Sequence, residues 1–285
     1  MQSFAEYFKS VVPKIESFHP HYNDAIRHIL SANGKLFRPS LLLSVVEAYE
    51  SLLLESSYPV AAAVEIFHTY SLIHDDLPCM DNSPLRRGLE TLHTKYTEAT
   101  ATLIGDGFNT YAFELIAKAP LRADVRIELV KILASNGGLE GMVLGQAIDL
   151  AFENTPLKLE EVEFLHQNKT AKLIAASLLM GAVIVDLDSV QKEELYQFGL
   201  DLGLLFQVQD DILDVTQSTF EAGKPTCFDG EKNSFIALLG LEESQKYADT
   251  LAQKIKSRFE TFEEPLQRAL SQVIEKYLYR HKSRV

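Results

Sequence analysis

Two aspartate clusters, Asp75-Asp76-x-x-x-x-Asp81 and Asp210-Asp211-x-x-Asp214, each follow a strongly apolar stretch and stand about half the chain apart. Desolvating an unpaired anion costs several kcal/mol or more, so carboxylates at the end of a buried helix call for a positive partner. Magnesium answers that need: it keeps much of its water and takes one or two carboxylates per ion plus substrate phosphate oxygens, so two facing clusters can hold a diphosphate between them. Either cluster alone reads better as helix caps or a solvated face, and the pair together reverses that preference. At about 100° per residue, Asp210 and Asp214 fall within about 40° of each other on a helix, with Asp211 adjacent. In the first cluster Pro78 removes a backbone donor, which predicts a distorted or ended helix carrying Asp81 on a bulged continuation.

The elements that must position these groups are helical. Periodicity predicts helices near 4–17, 21–32, 38–54, 59–77, 91–118, 122–135, 138–151, 158–167, 170–186, 190–215, 234–239, 242–259 and 264–282, and alternating strand patterns are nearly absent. The 285 residues include 46% hydrophobic side chains and only 14 glycines, with no repeat and no Pro/Gly/Ser-rich linker, which predicts one domain over 1–285. The longest loop falls at 217–233, with Gly223, Lys224, Pro225 and Gly230; its composition suits a lid and a merely mobile surface loop equally well. A formal net charge of −13 argues against a nucleic-acid protein. The N-terminus lacks the basic-then-apolar pattern of a signal peptide, so the cytoplasm is expected. The run Leu173 to Val185 is about 13 residues, short of the roughly 20 that span a bilayer, and reads as a core helix. Cys79 and Cys227 are too few for a disulfide framework.

The basic residues sit at element ends. Gly34-Lys35-Leu36-Phe37-Arg38-Pro39 opens a helix, and Arg86-Arg87-Gly88 follows the first cluster by a short turn. Helix N-termini with Lys or Arg nearby are anion sites, and guanidinium forks match phosphate oxygens, although any one such residue is by itself an ordinary solvated charge.

Taken in order, GKLFRP at 34–39, SLIHDDLPCMDNSPLRRG at 71–88, LHTKY at 92–96 with Gly105-Asp106, GMVLGQAIDL at 141–150, Lys169-Thr170, FQVQDDILD at 206–214 and Gly223-Lys224 closely resemble the short-chain trans-isoprenyl diphosphate synthases, most of all the bacterial farnesyl type. The resemblance implies an all-α, single-domain isoprenoid synthase bundle around a central cavity, with the aspartate motifs at its mouth, and a homodimer. It implies that Asp75, Asp76, Asp81, Asp210 and Asp214, with Asp211 alongside, carry three Mg²⁺ ions that hold an allylic diphosphate. Arg86, Lys169 and Lys224 match positions that also contact that diphosphate. Lys35, Arg38, His68 and Arg87 match the metal-free site for isopentenyl diphosphate. Gln146 and Asp149 match a GQ-x-x-D motif near the ionising group, while their i, i+3 spacing would equally serve a helix-surface pair. Thr170 and Gln207 point oxygens at a developing carbocation or satisfy buried backbone. The chain departs from the family pattern after Lys224, where Cys227 and a shortened step to Lys232 occur, and at Glu90 and Thr97. The family's last basic residue has candidates in Arg280, Lys282 and Arg284.

Product length should depend on what blocks the cavity below the first cluster. At about 1.5 Å per residue, Ser71 lies about 6 Å and Tyr70 about 7.5 Å deeper than Asp75. Tyr70 matches the chain-length position of farnesyl synthases, which implies a fifteen-carbon product; a twenty-carbon product shares the DDLPCMD spacing. A class I terpene cyclase would carry Asn, Ser and Glu in its second metal motif, and an inactive partner subunit would have eroded aspartates, neither of which this chain has.

Overall fold

The computed structural model describes residues 3–32, 34–216 and 233–282. Lys224, Cys227, Lys232, Arg284 and nearly all of the 217–233 loop lie outside the described residues. The helices are α1 (Phe4–Lys9), α2 (Tyr22–Ser31), α3 (Phe37–Tyr49), α4 (Tyr58–Asp75), α5 (Leu92–Lys95), α6 (Glu98–Lys118), α7 (Ala123–Gly137), α8 (Met142–Ala151), α9 (Leu159–His166), α10 (Lys172–Ile184), α11 (Ser189–Thr216), α12 (Phe235–Phe259) and α13 (Glu264–Tyr277). A π-helical turn, Gln167–Ala171, joins α9 to α10, and a 3₁₀ turn, Arg280–Lys282, follows α13.

Two apolar clusters share the interior. One gathers around α4, α6, α7 and α10, the other around α3, α10, α11, α12 and α13. Helix α10 is apolar on every side, with residues such as Leu173, Ile174, Ala176, Leu178 and Met180 fully buried, because it is packed between α11, α3 and α7. Helix α4 is similar over VAAAVEIF, starts at a proline in its first turn, and packs along α6. Among the described residues no helix is long and apolar enough to cross a membrane.

Several boundaries differ from the sequence expectation. Helix α1 stops at Lys9 rather than 17, four residues before Pro13. Helix α4 ends at Asp75 and does not continue as a bulged helix to Asp81. Beyond it the chain folds into turns in which Asp81 N–H donates to the Asp75 carbonyl (2.9 Å), Asn82 N–H to that of Leu77 (3.0 Å) and Ser83 N–H to that of Asp76 (3.2 Å). The span read as one helix over 91–118 is two, because Thr97 caps α6 by accepting from Thr100 N–H (3.0 Å). The gap expected between 167 and 170 is filled by the π turn.

A small hairpin was not expected. Strands β1 (Leu85–Arg86) and β2 (Leu89–Glu90) pair antiparallel, with Arg86 opposite Leu89. Arg87 (φ 52°) and Gly88 (φ 77°) form the two-residue turn, the positive-φ geometry that suits the twist of paired strands.

Candidate active site

The first cluster is assembled from four separate segments. Asp75 ends α4, Arg86 stands on β1, Gln146 and Asp149 lie on α8, and Lys169 lies on the π turn. Arg86 donates to Asp76 through Nε (2.9 Å) and Nη2 (2.5 Å) and reaches Asp75 Oδ2 at 3.8 Å. Gln146 Nε2 donates to Asp75, and Lys169 Nζ donates to Asp149 Oδ2 (2.5 Å). Burial pushes the Asp76 carboxyl up to about 6 against the pull of Arg86. Burial works against the charge of Lys169, but Asp75, Asp149 and Asp81 outweigh it and hold the ammonium above its ordinary value.

The π turn is what lets one segment serve both clusters. The turn fits one residue more into a rotation than an α turn does, and it carries Lys169 and Thr170 side by side. Lys169 faces Asp149, while Thr170 Oγ1 donates to Gln207 Oε1 (3.0 Å) on α11. The turn is held close on both sides by glycine: a Cβ on Gly145 of α8 would lie 2.2 Å from Lys169 N, and one on Gly203 of α11 would lie 2.4 Å from Ala171 Cα.

The second cluster lies on one face of α11, as its spacing predicts. Gln207 Nε2 donates to Asp211 Oδ1 (2.9 Å), and Asp211 Oδ2 accepts from Phe235 N–H (2.8 Å) at the start of α12. Asp210 Oδ1 accepts from Arg280 Nη2 (2.6 Å), so of the two tail candidates among the described residues Arg280 is the one brought to the cluster. Lys282 instead meets Asp249 (2.6 Å). Asp214 is buried on the same helix.

The cationic residues form a third group. Arg87 Nη2 stands 3.9 Å from Glu65 Oε1, and Arg38 and Arg87 both act on Glu65 and on His68. Burial, then Arg38 and Arg87, hold the His68 imidazole well below its usual value, so it is neutral near pH 7. Desolvation brings Arg38 down to about 10, still charged. Lys35 is lowered by desolvation and by Arg280, with Asp210 opposing, which places it between the cationic group and the second cluster. Glu65 has no counterpart in the sequence expectation. Its signal was present as the single acid inside VAAAVEIF, an uncompensated charge that a buried helix does not carry without partners.

Tyr70 is buried below the first cluster, edge-on to Phe67 (4.7 Å) and to His74 (5.7 Å). Ser71 Oγ donates to the His68 carbonyl (2.8 Å).

The donor set suits a hard cation: six carboxylates and no thiolate, two of them already drawn onto guanidinium groups. Among the described residues no three such side chains yet converge at ion-holding distance, Asp76 and Asp210 being turned onto Arg86 and Arg280. Oxygen ligands of this kind fit magnesium.

Residues 19–273 match the model of the polyprenyl synthetase family. The chain belongs to the polyprenyl synthetase family. It is 43% identical over 238 residues to a farnesyl diphosphate synthase of Geobacillus stearothermophilus, covering 81% of this chain and 80% of the relative. It is 42% identical over 250 residues to a chloroplastic geranylgeranyl pyrophosphate synthase of Capsicum annuum, covering 86% of this chain and 68% of the relative. Among solved structures, a geranyltransferase from Helicobacter pylori complexed with magnesium and isoprenyl diphosphate superposes with a TM-score of 0.92 at 48% identity, covering 96% of this chain and 93% of that one.

Proposed function

We propose that this synthetase joins isopentenyl diphosphate to dimethylallyl and then geranyl diphosphate, giving farnesyl diphosphate and releasing diphosphate at each step. The observation that carries the reading is the adjacency of two unlike subsites. One is a carboxylate-rich wall crossed by Lys169 and Arg86, the other a cation-rich wall of Lys35, Arg38 and Arg87. Two diphosphates with different counter-ions are what such a pair of walls would take.

Asp75, Asp76, Asp81, Asp210 and Asp214 would hold magnesium, three ions by the family resemblance. When bound, magnesium would supply positive charge to the diphosphate leaving group as its C–O bond breaks. Lys169 and Arg86 lie among the same carboxylates, so they would contact the oxygens on which negative charge builds. Lys35, Arg38 and Arg87 would bind the isopentenyl diphosphate, and neutral His68 would add a hydrogen bond rather than a charge. The double bond of that substrate attacks the allylic carbon; the new C–C bond forms as the leaving diphosphate departs with the C–O electron pair, and a proton passes to a diphosphate oxygen. Thr170 and Gln207, already bonded to each other, would turn oxygen dipoles toward the carbon that becomes positive. Asp211 is occupied by Phe235 N–H and Gln207, which supports a framework role beside the ligands. Lys224 is proposed to contact the allylic diphosphate on the resemblance alone. The same resemblance supports a homodimer working in the cytoplasm as a single domain over 1–285.

Labelled isopentenyl diphosphate with geranyl diphosphate, with magnesium and with chelator, tests the reading. A magnesium-dependent fifteen-carbon product is expected. A twenty-carbon product would keep the family chemistry and reject Tyr70 as the floor, and no condensation at all would reject the reading. Tyr70→Ala should lengthen the product.

A further inference from the structure

The 3₁₀ turn that follows α13 is stitched to the body of the molecule by a buried histidine. The His281 side chain is 1% exposed. Its Nδ1 lies 3.0 Å from Gln209 Nε2 on α11, and its Nε2 lies 3.0 Å from Asp249 Oδ1 on α12. Gln209 Nε2 also donates to the Leu278 carbonyl (3.0 Å). That second bond fixes the pattern: turning the amide over would set Gln209 Oε1 against the Leu278 carbonyl oxygen. The amide therefore donates to His281 Nδ1, and His281 Nε2–H donates to Asp249. Gln209 is completely buried and directly precedes Asp210.

On the other side of the turn, Arg280 Nη2 donates to Asp210 Oδ1 (2.6 Å) and to the Phe206 carbonyl (3.1 Å), with its guanidinium 4.3 Å over the Phe206 ring. Arg280 is also among the charges acting on Lys35. It thus stands between the second aspartate cluster and the cationic wall.

We propose that His281 is a positioning residue which, through Gln209 and Asp249, seats the C-terminal turn so that Arg280 joins Lys35 on the side of the site that takes isopentenyl diphosphate. This rests on the function proposed above for the substrate, though not for the docking of the turn. Arg280 meets the substrate side; His281 acts only through it.

The test is a double-mutant cycle on the full chain with His281→Ala, Arg280→Ala and the pair. Each single change should raise KM for isopentenyl diphosphate about tenfold and KM for geranyl diphosphate much less, with the double variant no worse than Arg280→Ala. Hydrogen exchange at 278–282 should speed up in His281→Ala and stay slow in Arg280→Ala. His281→Gln keeps an acceptor and a donor on one side chain, so it should restore slow exchange and most of the affinity, and it serves where the alanine variant does not fold. Multiplying effects in the double variant, or exchange unchanged by His281→Ala, would overturn the proposal. If the native chain makes no prenyl product, the functional reading fails while the exchange result still decides the docking of the turn.

Discussion

The two aspartate clusters are built in opposite ways. The first is a tertiary construction: α4, β1, α8 and the π turn all contribute partners, and Asp76 is only 2% exposed. The second is local: Asp210, Asp211 and Asp214 share one helix face, and the side chain of Asp210 is 44% exposed. Burial loads the first cluster electrostatically, raising Asp76 to about 6 while Asp75, Asp149 and Asp81 sustain the charge on Lys169. The second spends part of its carboxylate inventory on architecture, since Asp211 ties α11 to the start of α12. Similar residues therefore divide their work between binding and holding according to the partner each meets, a guanidinium for Asp76 and a backbone N–H with Gln207 for Asp211.

The sharpest break between the clusters should come from the carboxylates at their open ends. Asp75→Ala and Asp210→Ala are each expected to lower kcat/KM by about 10³-fold, the scale of losing a preorganised electrostatic contact. Asp75→Ala should also leave Gln146 and Lys169 misplaced, so added magnesium should rescue Asp210→Ala more than Asp75→Ala in a metal titration of the rate.

The next effect is on stability without magnesium. Asp76 is raised from 3.8 to about 6, so its contribution is fully present below about pH 4 and is lost as pH rises through 6. His166 runs the other way: burial lowers it from 6.5 to about 4, so its contribution is present above 6.5 and lost as pH falls through 4. Each shift of about 2 units corresponds to about 3 kcal/mol, and the two oppose each other over the same window. Urea unfolding in chelator should find a weak slope from these groups in the native chain. Asp76→Asn should make stability climb by about 3 kcal/mol from pH 4 to 6.5, and His166→Gln should make it fall.

The smallest effect is expected at Asp211. Asp211→Asn keeps one acceptor for Phe235 N–H or Gln207 but not both, which costs about 1 kcal/mol of stability. Its kcat should stay within about tenfold of native, against the loss at Asp210. Equal losses at Asp210 and Asp211 would end the division of labour drawn between them.

Much of this was legible in residue spacing. The second cluster needed only helical periodicity, because Asp210, Asp211 and Asp214 are local neighbours. The first was legible as a motif but not as geometry. Pro78 marked the end of α4, yet the turns that return Asp81 N–H to the Asp75 carbonyl depend on contacts no window of sequence contains. The hairpin was hidden by its length, since two-residue strands show no alternation. Glu65 left the period of its apolar helix unchanged, so only its charge inside VAAAVEIF marked it. The π turn was hidden because periodicity shows only a phase slip, which reads as a break between 167 and 170.

That phase slip has a consequence for how the chain tolerates insertion and deletion. The ring Gln167–Ala171 holds one residue more than an α turn, so removing any one of its residues would restore a regular helix. The flanking helices would keep nearly the same facing, because the five-residue ring and the α turn that replaces it each close about one rotation, so the change would fall inside the turn. Losing Lys169 or Thr170 would remove the contact to Asp149 or to Gln207, and losing a neighbour would shift both side chains between α8 and α11. Most single substitutions here change one contact, whereas a single in-frame codon deletion would move the one segment that touches both halves of the site.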